Sequence, residues 1–270
     1  MKTFQNKVVW ITGASSGIGE ALARVCAREG ARLVLTARRE EELRRVAAGA
    51  GLPEESLFIL PADLSAYDQA EKLAGQVIQR FGRIDVLFNN AGISSRAIAM
   101  ETPVGIDRKV MDLDFFSVVA LTKAVVPGML ERKEGHIVVT SSVMGKIGTP
   151  MRSAYSAAKH ALHGFFESMR MEIDGSGVQI TLLCPGYIRT QVSVNAITAS
   201  GEKFNKMSRY QEKGKDPLKF AEKVIRGVKK GKREISYGGI ETFGPILYRI
   251  SPRAVHAYMK KQNRKKSYTE

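Results

Sequence analysis

Short, unbroken apolar runs alternate along this chain with longer stretches in which apolar positions recur every three or four residues. The runs are Val8-Val9-Trp10-Ile11, Leu33-Val34-Leu35, Leu57-Phe58-Ile59-Leu60, Val86-Leu87-Phe88, Ile137-Val138-Val139, Ile180-Thr181-Leu182-Leu183 and Glu234-Ile235-Ser236-Tyr237. Most do not alternate with polar residues, which predicts strands covered by helices on both faces. Helices are predicted between them near 17–30, 40–48, 65–81, 103–131, 152–174 and 216–230. Such β-α alternation builds a doubly wound, parallel α/β sheet of the Rossmann type, with ligands at the carboxyl ends of its strands.

Two regions break the rhythm. Residues 187–215 are a long polar connection dotted with Tyr187, Ile188, Val192, Ile197, Phe204 and Met207, either disordered or a functional lid. Beyond Gly239, Phe243-Gly244-Pro245-Ile246-Leu247-Tyr248 leads to Ser251-Pro252-Arg253, which reads as a helix start. Lys260-Lys261 and Arg264-Lys265-Lys266 follow. No linker, repeat or low-complexity tract divides the chain, so the reading is one domain over 1–240, lid included, with a basic helical appendage over 241–270.

Charge sharpens that division. Residues 200–270 carry 19 Lys+Arg against 7 Asp+Glu, so they hold +12 of the chain's +15. A solvated basic face, attraction to cofactor or substrate phosphates, and an anionic membrane surface all remain open. Nucleic acid ranks last, because no nucleic-acid module or interleaving of aromatic and basic residues accompanies the charge. The first strand begins a few residues after Met1, so no signal peptide is expected. No stretch approaches the ~18 uninterrupted apolar residues of a membrane span. Two cysteines, Cys26 and Cys184, make a disulfide framework implausible and fit a reducing, cytoplasmic setting. The four histidines suggest no metal site: His160 and His163 share a helix face without a third ligand.

The first strand runs into Thr12-Gly13-Ala14-Ser15-Ser16-Gly17-Ile18-Gly19, a glycine turn opening a helix, where backbone N–H groups and the helix dipole would face a phosphate. Tyr155 and Lys159 stand at i and i+4, on one face of a predicted helix, and Ser142 lies thirteen residues before Tyr155. A phenol, with a usual pKa near ~10, is a poor base at neutral pH, and a neighbouring ammonium favours its ionised form. Each piece alone is weak. Together, in this order and spacing, they resemble the short-chain dehydrogenase/reductase (SDR) family over roughly residues 5 to 240.

The resemblance implies a seven-stranded sheet in the order 3-2-1-4-5-6-7, hydride transfer between a nicotinamide cofactor and a carbonyl or alcohol, and a homodimer or homotetramer paired through helices 103–131 and 152–174. It implies that Tyr155 is the proton donor or acceptor, that Ser142 bonds the substrate oxygen, and that Lys159 binds the nicotinamide ribose. Gly13, Ser15, Ser16, Gly17, Ile18 and Gly19 would hold the pyrophosphate end, and Asp63 with Leu64 the adenine. Asn89, Ala91 and Gly92 of Asn89-Asn90-Ala91-Gly92 would line the cofactor, and Pro185, Gly186, Ile188 and Thr190 the nicotinamide. Ala37 stands where an NAD site would place a carboxylate, and Arg38 and Arg39 follow it, favouring NADP(H) over NAD(H). One departure stands out. Many SDR enzymes have an asparagine whose carbonyl serves a proton relay to the lysine, and Asp114 occupies that place here.

The expected substrate is a bulky apolar, lipid- or steroid-like ketone or alcohol, with any acidic group met by basic residues of the lid. Its pocket would be walled by Ser94-Ser95-Arg96, Met144, Ile147, Met151 and the lid. The rival readings are a non-catalytic NADP-binding interaction protein and a peripheral membrane reductase of lipid ketones.

Overall fold

The structure, a computed structural model, describes residues 1–264, with side chains to Lys260. The basic end Lys265-Lys266 lies outside the described residues, as do the side chains of Lys261 and Arg264. Seven strands form one parallel sheet: β1 (Val8–Thr12), β2 (Arg32–Thr36), β3 (Leu57–Ile59), β4 (Val86–Asn89), β5 (Gly135–Thr140), β6 (Val178–Pro185) and β7 (Glu234–Tyr237). Their order is β3-β2-β1-β4-β5-β6-β7, so the chain reverses direction across the sheet between β1 and β4. That switch point opens a crevice at the carboxyl ends of β1 and β4.

The unbroken apolar runs divide their residues between two faces by strand alternation. Val9, Ile11, Leu33, Leu35, Phe88, Val138 and Leu183 point to one side, covered by α1 (Gly17–Arg28), α2 (Glu40–Ala50) and α8 (Pro217–Lys229). Val8, Trp10, Val34, Leu87, Ile137, Val139 and Leu182 point to the other, under α3 (Ala70–Phe81), α5 (Ser117–Glu131) and α6 (Ser153–Glu172). Val118, Leu121, Val125 and Val126 of α5 spend themselves on this second core, as do Leu162 and Phe166 of α6. Only the flanks of those helices remain for another subunit. Cys26 and Cys184 are buried and unpaired, and burial pushes the Cys184 thiol up to about 12.

Two predicted helices come out differently, both near the crevice. The stretch 65–81 becomes α-helical only at Ala70, after a 3-10 turn at Tyr67–Gln69. Asp63 Oδ1 accepts from the Ser65 N–H (3.0 Å) and hydroxyl (2.7 Å), and this local turn competes with the helix. The stretch 103–131 holds α4 (Val104–Met111) and α5, joined through a π-helical turn at Asp112–Phe116. Such turns insert one extra residue and shift the register, here directing Asp114 inward. Together α4, the turn and α5 are apolar and long enough by composition to cross a membrane, yet the segment is packed on the sheet like any core helix.

The 187–215 connection is not structureless. Ile197 bridges both Ser95 and Lys203, Ile188 bridges Lys215, and a short α7 (Arg209–Glu212) crosses it. Past β7 come α9 (Gly244–Ile250) and α10 (Pro252–Arg264), with Val255 and Met259 of α10 and Tyr248 of α9 packed on Val143 and Ile147.

Candidate active site

The turn from β1 to α1 is shaped by its own packing. Gly13 has φ +64°, and a Cβ there would come within 2.8 Å of the Ala91 Cα; one at Gly19 would collide with the Gly13 carbonyl. A Cβ at Gly17 (φ +60°) would meet the Thr190 methyl at 3.0 Å. The glycines thus let the turn close against Asn90-Ala91 and against the loop after β6, rather than simply clearing room for a ligand. Thr12 ties the same group together: its hydroxyl accepts from the Asn90 and Ala91 N–H groups at 2.9 and 3.0 Å and donates to the Phe88 carbonyl. Ser16 precedes α1 without a side-chain cap, so the first amides of the helix have no side-chain acceptor. An uncapped helix start bordered by a glycine turn suits a pyrophosphate. Ser15 is buried, and its carbonyl accepts from Arg45 at 3.2 Å.

Arg38 and Arg39 are exposed just past β2, and neither has an ion pair among the described residues. Burial works to raise the Asp63 carboxyl, but the two Ser65 hydrogen bonds and the charge of Arg38 hold it below the usual carboxylate range. Leu64 is buried beneath it. After β4 the two asparagine side chains part. Asn89 is turned into the core, its amide donating to Thr122 at 3.0 Å, while Asn90 lies against the glycine turn and donates to the Thr12 carbonyl at 3.1 Å. Strand alternation is the cause: adjacent side chains face opposite ways, so Asn89 can offer the crevice only main chain. The Ile188 side chain is likewise part of the core, whereas Thr190 lies against Gly17 of the glycine turn. The carboxylate of Glu241, which the sequence did not single out, holds this loop: its Oε1 accepts from the Tyr187 and Gly239 N–H groups at 2.9 and 2.8 Å.

Ser142 follows β5, with its hydroxyl accepting from the Met144 N–H at 3.1 Å. Ser141 turns away and donates to the Lys159 carbonyl. Tyr155 is half-buried on α6, and Lys159 Nζ stands 5.5 Å from its ring centroid. That ammonium is buried, donating to the Thr140 carbonyl at 3.1 Å and facing Asp114 Oδ2 at 3.0 Å. Asp114 Oδ1 accepts from the Ile93 N–H at 2.7 Å, and the whole side chain is inaccessible. Burial works to lower the Lys159 ammonium, but the Asp114 carboxylate outweighs it and holds the lysine above its ordinary range. Burial pushes the Asp114 carboxyl up, against the pull of Lys159 and the Ile93 amide. Beside the Thr140 carbonyl, the Asp114 carboxylate therefore faces the lysine. Gly92 leaves space for it, since a Cβ there would lie 3.1 Å from both carboxylate oxygens.

Of the residues expected to wall the pocket, Ile147 is packed under Val255 of α10 and faces the appendage. Ser94 and Ser95 are buried, and Arg96 lies over the Phe204 ring of the lid at 4.4 Å.

The family profile described as short chain dehydrogenase matches residues 7–200. The chain belongs to the short-chain dehydrogenases. Dehydrogenase/reductase SDR family member 7B of Mus musculus is 43% identical over 235 residues, covering 86% of this chain and 73% of that protein. A short-chain dehydrogenase of Streptomyces avermitilis has the same fold with TM-score 0.81 at 30% identity, covering 97% of this chain and 99% of that one. A short-chain dehydrogenase/reductase of Burkholderia phymatum, in complex with NAD, gives TM-score 0.79 at 26% identity, covering 100% and 99%. As a short-chain dehydrogenase the protein is an oxidoreductase of the nicotinamide-dependent, small-molecule class, and the seven-stranded sheet is that of the family.

Proposed function

We propose that this short-chain dehydrogenase moves hydride between NADP(H) and the carbonyl or secondary alcohol of a largely apolar substrate. The observation that carries the reading is Lys159, a buried cation set beside the Tyr155 ring, with Ser142 at the end of the neighbouring strand. Bound nicotinamide supplies or receives the hydride. The chain's own residues manage the proton and the charge. Tyr155 donates a proton to the carbonyl oxygen in reduction and takes it back in oxidation. Ser142, whose oxygen accepts from the Met144 amide, keeps its O–H to donate to that oxygen, stabilising charge as it develops. Lys159 would hold the nicotinamide ribose, and Asp114 keeps the lysine charged and in place.

The preference for NADP(H) rests on Arg38 and Arg39, exposed at the end of β2 where Ala37 leaves no carboxylate for an adenosine ribose. The Burkholderia neighbour holds NAD, so kinship alone does not choose the cofactor. NADPH consumption across aliphatic, aromatic and steroid ketones, with NADP⁺ reduction by the matching alcohols, tests the whole reading. Cofactor binding without turnover of any of them would instead favour the non-catalytic interaction protein.

Assembly as a homodimer or homotetramer has its own support. Tyr67, Phe116, Phe115 and Phe165 form a run of ring contacts 5.1–6.1 Å apart along the flanks of α5 and α6, with Phe116 43% exposed. We place the protein in the cytoplasm, peripheral to a membrane. Ile240, Phe243, Ile246 and Ile250 are each at least 60% exposed beside Arg249 and Arg253, a face suited to an anionic lipid surface. Co-sedimentation with anionic liposomes that is weakened by salt and lost on truncation after Gly239 supports this. A protein left in the supernatant at low salt refutes it.

A further inference from the structure

A half-buried guanidinium with no acid beside it among the described residues stands at the start of α6. Arg152 is the residue before α6, three positions ahead of Tyr155, and the two side chains lie near enough to act on each other electrostatically. Both of its hydrogen bonds come from Nη1, to Ser94 Oγ at 2.6 Å and to the Ser95 carbonyl, and both acceptors are neutral. Nε and Nη2 have no partner among the described residues, yet neither is a fully buried orphan, so this edge of the fork is not sealed off. Among the described residues, the charged or ionisable groups acting on Arg152 are Arg96, Tyr155 and Tyr187, none of them a carboxylate. Burial and the like charge of Arg96 both work to lower its guanidinium, the signature of a cation lacking its counter-ion.

The surrounding backbone is arranged to keep the two arginines together. Met151 sits in the left-handed region (φ +62°), uncommon for a residue with a side chain. Its carbonyl accepts from the Ala97 N–H at 3.1 Å, and the Arg96 N–H donates to Ile197 of the lid at 2.7 Å. Strain held in place by such ties marks a positioned group rather than a loose surface residue.

We propose that Arg152, with Arg96 beside it, is an anion-binding subsite of the substrate pocket, so that the substrate is a ketone or alcohol bearing a carboxylate or phosphate group. The free Nε–Nη2 edge suits a bidentate contact to either oxyanion. The rest of the pocket takes the apolar part, and Arg96, resting on Phe204, couples anion binding to the position of the lid. The inference deepens the reductase reading and rests on it for turnover, though not for binding.

Two measurements separate the two claims. The first compares kcat/KM for 4-oxodecanoate, its methyl ester and a 2-oxoalkyl phosphate of similar length. The wild type should favour the anions by about 10–100-fold, as a charge-assisted contact allows, and in Arg152→Gln that ratio should fall towards one. Arg152→Lys should keep part of it, because a point charge replaces the fork. The second follows binding of hexanoate, hexyl phosphate and hexan-1-ol to the protein saturated with NADP⁺, by calorimetry, with melting curves to verify that each variant is folded. Arg152-dependent binding of either anion without turnover of any ketone would sink the reductase reading and leave the subsite standing. Equal turnover of ester and anions, or anion binding unchanged in a folded Arg152→Gln protein, would overturn the subsite. The carboxylate and phosphate probes, compared with each other, identify which oxyanion it takes.

Discussion

Asp114→Asn tests whether the buried Asp114–Lys159 pair is a working part of the site. At 3.0 Å and an effective dielectric constant of ~20, the gross attraction between the two charges is about 5–6 kcal/mol. The amide keeps an oxygen for the Ile93 N–H and relieves the cost of burying a carboxylate, but it leaves the Lys159 ammonium without a counter-charge. Removing one partner of a buried pair typically costs ~3–5 kcal/mol, and with those two offsets we expect about 2–4. Urea unfolding at pH 7 should therefore show the midpoint lowered with an unchanged slope. Lys159→Met strands the acid instead. Burial then holds the Asp114 carboxyl above its unfolded value, so that variant is least destabilised at low pH and loses stability as pH rises through the raised value. The double variant, with no buried charge left, should recover most of either loss. An Asp114→Asn protein within about 0.5 kcal/mol of wild type, or a double variant no better than the singles, would show that the pair contributes nothing as a pair.

Four further outcomes are expected. Tyr155→Phe should bind NADPH normally and lose turnover by orders of magnitude, because only the proton donor is removed; retained turnover on an active ketone excludes the assignment. Arg38→Ala combined with Ala37→Asp should shift preference from NADPH to NADH by about 1.5–3 kcal/mol, and equal wild-type binding of the two cofactors by titration removes the basis for it. His136 is buried, its Nε2–H donating to Thr181 Oγ1 at 2.8 Å while that hydroxyl donates to the Lys232 carbonyl. Burial pushes it from 6.5 down to about 3, so below pH 6.5 the unfolded chain gains a proton that the folded one refuses. Stability should fall by about 1.4 kcal/mol per pH unit from this group alone, and His136→Gln should flatten that part of the acid limb in melts between pH 7.5 and 4.5. Light scattering at micromolar protein should return twice or four times the monomer mass, and a monomer refutes the aromatic flank as an interface.

Much of this protein was legible before any coordinates. Apolar runs such as Val8–Ile11 mark strands covered on both faces, because burial on both sides removes the need for polar alternation. The spacing of Tyr155 and Lys159 places both on one helix face, since 3.6 residues make a turn. Local chemistry of that kind is written in adjacent residues. What the tertiary structure decided depends on which way a side chain turns and on what long-range packing sets opposite it. Asn89 and Asn90 are indistinguishable in the chain, and only the pleat sends one to Thr122 and the other to the glycine turn. Ile147 became a seat for α10, and Glu241, remote in sequence, became the clamp on the loop after β6. Asp114 could be flagged as a departure, but its orientation depends on the π-helical turn at Asp112–Phe116 that brings it onto Lys159. Arg152 gave no signal in the sequence at all, because an arginine at a helix start is ordinary until the fold surrounds it with serines, a second arginine and Tyr155, and with no acid among the described residues.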